Sequence, residues 1–142
     1  MNGNAAEMLQ QGSALIAPLL ETHGFMFNEL GVGKSSGGSF ASGKFQKDNR
    51  WLELHFRFNL GLVSYNLGNC SMSHQDYMHS VIGKPNSSHY PGFSNDPLDG
   101  FRHLLVDLQA YGSEFLAESD ECLIQRIEIA NSLPRGGFRL PD

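Results

Sequence analysis

Residues Trp51 to Phe58 alternate without a break. Leu52, Leu54, Phe56 and Phe58 project to one side of an extended chain, and Trp51, Glu53, His55 and Arg57 to the other. Strict period-two alternation marks a strand with one face buried and one face in water. Such a strand needs neighbours that alternate in step with it, because a one-residue slip exchanges the two faces.

The flanking residues supply those neighbours. Asp48 and Asn49 both tolerate left-handed backbone and suit a two-residue turn. Closing the hairpin there sets Phe45 opposite Leu52, Gly43 opposite Leu54 and Ala41 opposite Phe56. It also sets Lys44 opposite Glu53, an opposite-charge pair across the strands, and leaves Lys47 facing Arg50 at the tip. With Leu60-Gly61 as the next turn, Phe58 meets Val63, Phe56 meets Tyr65 and Leu54 meets Leu67. The polar face then carries the rows Ser42–His55–Asn66 and Phe40–Arg57–Ser64.

The remaining elements follow from helical spacing and caps. Residues 4–23 form an amphipathic helix carrying Met8, Leu9, Leu15, Ile16, Leu19, Leu20 and His23, interrupted or kinked at Pro18 and ended by Gly24. Residues 25–30 alternate as a short strand, and 31–38 read as a glycine-rich connector. Ser73 caps a short helix that Gly83 stops. Residues 84–95 form a long loop. Asp96-Pro97 opens a helix with Leu98, Phe101, Leu104, Leu105, Leu108 and Tyr111 inward. Ser119-Asp120-Glu121 begins a last helix with Leu123, Ile124, Ile127 and Ala130 inward.

The expectation is an α+β fold in one domain, 1–142. A four-stranded antiparallel meander has helices packed on one face, in the order helix-β-β-β-β-helix-helix-helix, and 133–142 is a loosely held tail.

Composition narrows the function. The net charge of −5 offers no basic footprint for nucleic acid, and no apolar run is long enough for a bilayer. The N-terminus lacks the basic and apolar regions of a secretory signal, and Cys70 and Cys122 read as free thiols, so the expected location is cytoplasmic. Gly33-Lys34-Ser35 ends like a phosphate-binding loop, but the pattern requires glycine where Asn28 stands and should open a helix. His74 and His79 diverge on a helix at a spacing of five, and no Cys/His cluster has zinc-site spacing. No cofactor, no metal and no catalytic residue is therefore assigned. Ser42 beside His55 is the nearest approach to a nucleophile and base, on an open face without an evident oxyanion hole.

What remains is a mixed polar and aromatic surface: Trp51, Glu53, His55 and Arg57, with Phe40 nearby. Trp, Tyr and Arg dominate protein–protein hot spots. The loop residues His89, Tyr90 and Phe93 make a second candidate contact surface.

The segments SSGGSFASGKF, RWLELHFRFNLGLVSYNLG and YPGFSNDPLDGFRHLL, with the small size, acidity and element order, resemble small bacterial α+β proteins of the toxin-immunity type. The resemblance spans about residues 25–111 and is centred on Gly37–Gly68. It implies a non-enzymatic inhibitor that binds a toxin domain through a preformed surface, and it carries over no particular functional residue. The expected partner is a protein, the expected state a monomer or homodimer. The alternative is a small-molecule binder or small hydrolase, with a pocket between the sheet and the loop 84–95.

Overall fold

A computed structural model describes residues 5–35, 38–84 and 96–133. The order is α1 (Ala5–Thr22), β1 (Met26–Ser35), β2 (Gly38–Lys47), β3 (Arg50–Phe56), β4 (Leu60–Leu67), β5 (Cys70–Ser73), α2 (His74–Ile82), α3 (Asp99–Tyr111), α4 (Ser113–Leu116) and α5 (Asp120–Ser132). The strands form an antiparallel sheet in sequence order, β1-β2-β3-β4-β5.

The β2–β3 hairpin has the register read from its side chains: Phe45 faces Leu52, Gly43 faces Leu54, Ala41 faces Phe56 and Lys44 faces Glu53. Asp48 takes the positive φ that the turn demands, at 55°. Leu52, Leu54 and Phe56 are buried, whereas Trp51, Glu53 and His55 are only partly so.

The next hairpin differs from the sequence reading. Leu54 faces Val63, Leu52 faces Tyr65 and Arg50 faces Leu67. Strand β3 stops at Phe56, and an irregularity at His55/Phe56 brings Phe56 opposite Leu60. Leu60 is therefore a fully buried core residue instead of a turn residue, while Phe58 is 70% exposed in the connection. The side-chain faces survive because the displacement is an even number of residues. The expected row through His55 does not: His55 faces Leu62, and Asn66 lies across from Trp51.

Two further corrections concern the sheet edges. The sheet has five strands, not four, because Cys70–Ser73 pairs back on β4 through a Gly68-Asn69 turn. Residues 31–35 continue β1 past a bulge at Glu29/Gly31 and are not a connector. Gly33 is there for space: a Cβ on it would lie 2.6 Å from the tip of the Phe40 ring.

Helix α1 runs through Pro18 without splitting. The backbone acceptor that proline leaves unbonded belongs to Ala14, on the exposed side where water can reach it. Its end is a Schellman arrangement, with Gly24 N–H bonding Glu21 O and Phe25 N–H bonding Leu20 O, each at 3.0 Å, and Gly24 at φ +91°. Helix α3 begins two residues later than read, at Asp99 instead of Pro97. The Asp96 carboxylate accepts from Leu98 N–H at 2.9 Å in a turn ahead of the first helical residue. The caps at Ser73 and Ser119 form as expected, each hydroxyl accepting an amide of its helix's first turn.

The buried sides of the helices and the sheet meet in one core. Phe101 stacks 6.0 Å from Phe56, and Tyr65 lies 4.8 Å from Phe115 and 5.0 Å from Tyr77. Helices α1 and α3 cross at Gly12, where a Cβ would stand only 2.2 Å from the Phe101 ring. Tyr111 and Ile124, expected inward, are each 37% exposed. Residues 85–95 of the long loop and the tail from 134 onward lie outside the described residues.

Candidate functional site: the open face of the sheet

The pairing places the open-face side chains in rows. The first is Met26–Gln46–Trp51–Asn66–Ser71 and the second Asn28–Lys44–Glu53–Ser64–Ser73. The third is Gly31–Ser42–His55–Leu62, and Phe40 follows beyond it. None of these side chains on β2, β3 and β4 is buried, in contrast to the face beneath the helices.

At the centre three side chains hold one another. Trp51 Nε1–H donates to Glu53 Oε1 at 3.2 Å, and His55 Nε2 lies 2.7 Å from Glu53 Oε2. Consecutive same-face residues on a strand lie ~6–7 Å apart, so a central carboxylate reaches both neighbours. Partial burial works to raise the Glu53 pKa. The bonds to His55 and Trp51, with the charges of His55 and Lys44, outweigh it and hold the group below its ordinary value. Lys44 Nζ sits 5.3 Å from the indole centroid. Asn66 Nδ2 donates to Ser64 Oγ at 3.2 Å and bonds the Trp51 carbonyl at 3.4 Å. The indole is thus fixed in orientation by a hydrogen bond while remaining open to solvent.

Arg57 departs from the expected set. It lies in the turn after β3, where its guanidinium carbon is 5.5 Å from the Phe40 ring centroid. Trp51, Glu53 and His55 therefore form one cluster, and Arg57 with Phe40 forms a second at the end of the same face. His89, Tyr90 and Phe93 fall outside the described residues. Ser42 is the cross-strand neighbour of His55, as read, but the imidazole is engaged with Glu53. Among the described residues no group of three or more His, Cys, Asp or Glu is placed to hold a metal.

Beside the sheet's end lies a cleft of about 580 Å³, lined by residues that include Met8, Phe56, Phe58, Pro97 and Leu98. Its carboxylate, Asp96, is bonded to Arg102.

Sequence reasoning missed a polar chain in the core. The Tyr65 hydroxyl lies 2.6 Å from His74 Nδ1, and His74 Nε2 lies 2.8 Å from Asp107 Oδ2. All three residues are at most 1% exposed. Burial drives the Tyr65 pKa well above its ordinary value, so the phenol keeps its proton. Tyr65 then donates to Nδ1, and His74 donates from Nε2 to Asp107. The chain ties β4 to α2 and α3, and its burial bars a substrate. One signal was available: Asp107 falls three residues after Leu104, on the buried stripe of its helix. Arg50, read as a hairpin-tip cation, is also buried, donating to Phe115 O at 2.7 Å and Asp120 Oδ1 at 2.5 Å.

No protein-family model, curated protein or solved structure matches this chain. No helix among the described residues is long and apolar enough to cross a membrane.

Proposed function

We propose that this chain is a non-enzymatic protein-binding module, acting as a toxin-neutralising immunity protein, and that the open sheet face is its docking surface. The observation that carries this reading is the Trp51–Glu53–His55 cluster: an aromatic anchor held in place by hydrogen bonds on a face whose side chains remain in water. Pre-ordered side chains lose little entropy on association, and tryptophan and arginine are the commonest anchors at interface centres. Exposed Met26 and Leu62, with Phe40, add apolar area around the cluster.

The test is capture of partners from the source cells by wild type and by the Trp51→Ala, Arg57→Ala double variant, with circular dichroism as the folding control. A specific partner should be retained by wild type and lost by the variant. A partner held equally by both would show that docking occurs elsewhere.

A second reading is a small-molecule binder using the cleft beside Phe56 and Leu98. Its volume favours it, as does a lining that sets Arg57 and Gln11 beside Phe56, Phe58 and Leu98. Ligand-dependent change in thermal stability that a Leu98→Glu change abolishes and Trp51→Ala spares would select this reading over the first.

A further inference from the structure

The net charge of −5 is not shared by the open face. Its charged side chains are Lys44, Glu53, His55 and Arg57. The one carboxylate has both oxygens engaged, by the Trp51 N–H and by His55. Lys44 faces Glu53 across the strands and acts on it through its charge, but neither cation is bonded to a carboxylate among the described residues. Lys44 lies over Trp51 and Arg57 over Phe40, and neither forms an ion pair among the described residues. The acidic surplus lies elsewhere: Glu21 on α1, Glu118 before α5, and Glu121 and Glu128 on α5 are all exposed.

A basic partner drawn by the net charge would therefore meet the helical side first. The sheet face favours the opposite sign. We infer that the open face receives a carboxylate-bearing stretch of a protein partner, with Lys44 and Arg57 taking the carboxylates and Met26, Phe40 and Leu62 taking interspersed apolar groups. This rests on the protein-binding reading above and names the chemistry of the partner. A cation resting on an aromatic ring has shed part of its water, so less desolvation opposes the new ion pair. Spacing adds a constraint. Lys44 and the Phe40 that Arg57 covers are four residues apart on one strand, ~13 Å at the usual rise. Two acidic residues at that interval on an extended segment match the pair of cations.

Trp51 is the only tryptophan, so its emission reports on this face alone. The probe is a random copolymer of glutamate and alanine, titrated against the intact chain. A saturable change in Trp51 emission is expected, weakened roughly tenfold or more by Lys44→Glu with Arg57→Glu. The milder pair Lys44→Gln with Arg57→Gln serves if charge reversal perturbs the fold. A lysine–alanine copolymer should leave the emission unchanged. No response to the glutamate copolymer, or one that survives both substitution pairs, overturns the inference. A Trp51 response to the lysine copolymer alone overturns the charge sense but leaves the face as a docking surface. An oligothymidylate that binds as tightly as the glutamate copolymer overturns the assignment to a protein partner. Failure of the reading that the open face docks the partner would show separately, as a specific partner retained by the Trp51→Ala, Arg57→Ala variant.

Discussion

Two histidine–carboxylate pairs of nearly equal length sit in opposite surroundings. His55 lies 2.7 Å from Glu53 on the open face, and His74 lies 2.8 Å from Asp107 in the core. The first pair has side chains 41% and 29% exposed, the second 1% and 0%. In water the attraction is small and chiefly orients the partners, adding about 0–1 kcal/mol. In the core each group helps replace the hydration that burial takes from the other. One geometry thus orients side chains at the surface and joins elements inside.

The largest effect expected from breaking this comparison is at Asp107. Asp107→Ala removes the acceptor that faces His74 Nε2 in the core and should cost about 1–3 kcal/mol in urea unfolding, whereas Glu53→Ala should cost no more than about 1 kcal/mol. Equal costs would mean that burial does not separate the pairs. Replacing all three residues, as Tyr65→Phe, His74→Leu and Asp107→Leu, should be less harmful than Asp107→Ala alone, since the groups that bond one another are removed together. A triple variant weaker than the single one would contradict this.

Titration sharpens the contrast at both ends of the pH scale. Tyr65 and Tyr77 have folded-state pKa values raised above the unfolded value of 10.0, first of all by burial. Their stabilising effect is complete below that value and is lost as pH rises beyond it. Two of the four tyrosines should therefore ionise only together with alkaline unfolding, visible as coincident phenolate absorbance and circular dichroism transitions. Glu53 has the opposite sign. Its pKa is lowered, so its contribution is present at neutral pH and disappears as pH falls through the acidic carboxylate range. Glu53→Gln should flatten that part of the stability profile slightly, and unchanged acid sensitivity would argue that the exposed pair contributes nothing. The smallest effect is expected on the two thiols. Exposed Cys70 should react with a disulfide reagent before Cys122, whose pKa is raised by partial burial and by Glu114.

The two central hairpins show how far local reading reaches. Between β2 and β3 the turn is two residues, Asp48-Asn49, and an opposite-charge pair supports the register. Everything needed lies within a few residues. Between β3 and β4 the same logic chose Leu60-Gly61 as the turn, because Phe58 continued the alternation. Strand β3 ends before Phe58, and Leu60 enters the core where Gly100 of α3 packs against it, a Cβ there standing 3.0 Å from the Leu60 Cβ. A residue forty positions away thus bears on which leucine is buried, and alternation along a strand carries no information about that.

The same division holds for the candidate site. Trp51, Glu53 and His55 share a face because they alternate on one strand, and nothing distant is needed to put them there. Arg57 leaves them because the strand ends early, and Asn66 exchanges places with Leu62 because the pairing shifts. The partners of Arg50 and of the Tyr65–His74–Asp107 chain were illegible beyond the one hint that Asp107 lies on a buried stripe, since these groups bond partners 9 to 70 residues away.

Side-chain direction is a property of backbone geometry over two or three residues, so the sequence by itself determined which face of the sheet is greasy and which is wet. It also determined the β2–β3 register and the caps at Ser73 and Ser119. Where β3 stops, that a fifth strand completes the sheet, and that a histidine and an aspartate share the core were decided by tertiary structure, because those outcomes depend on burial against helices that the strand sequence does not contain.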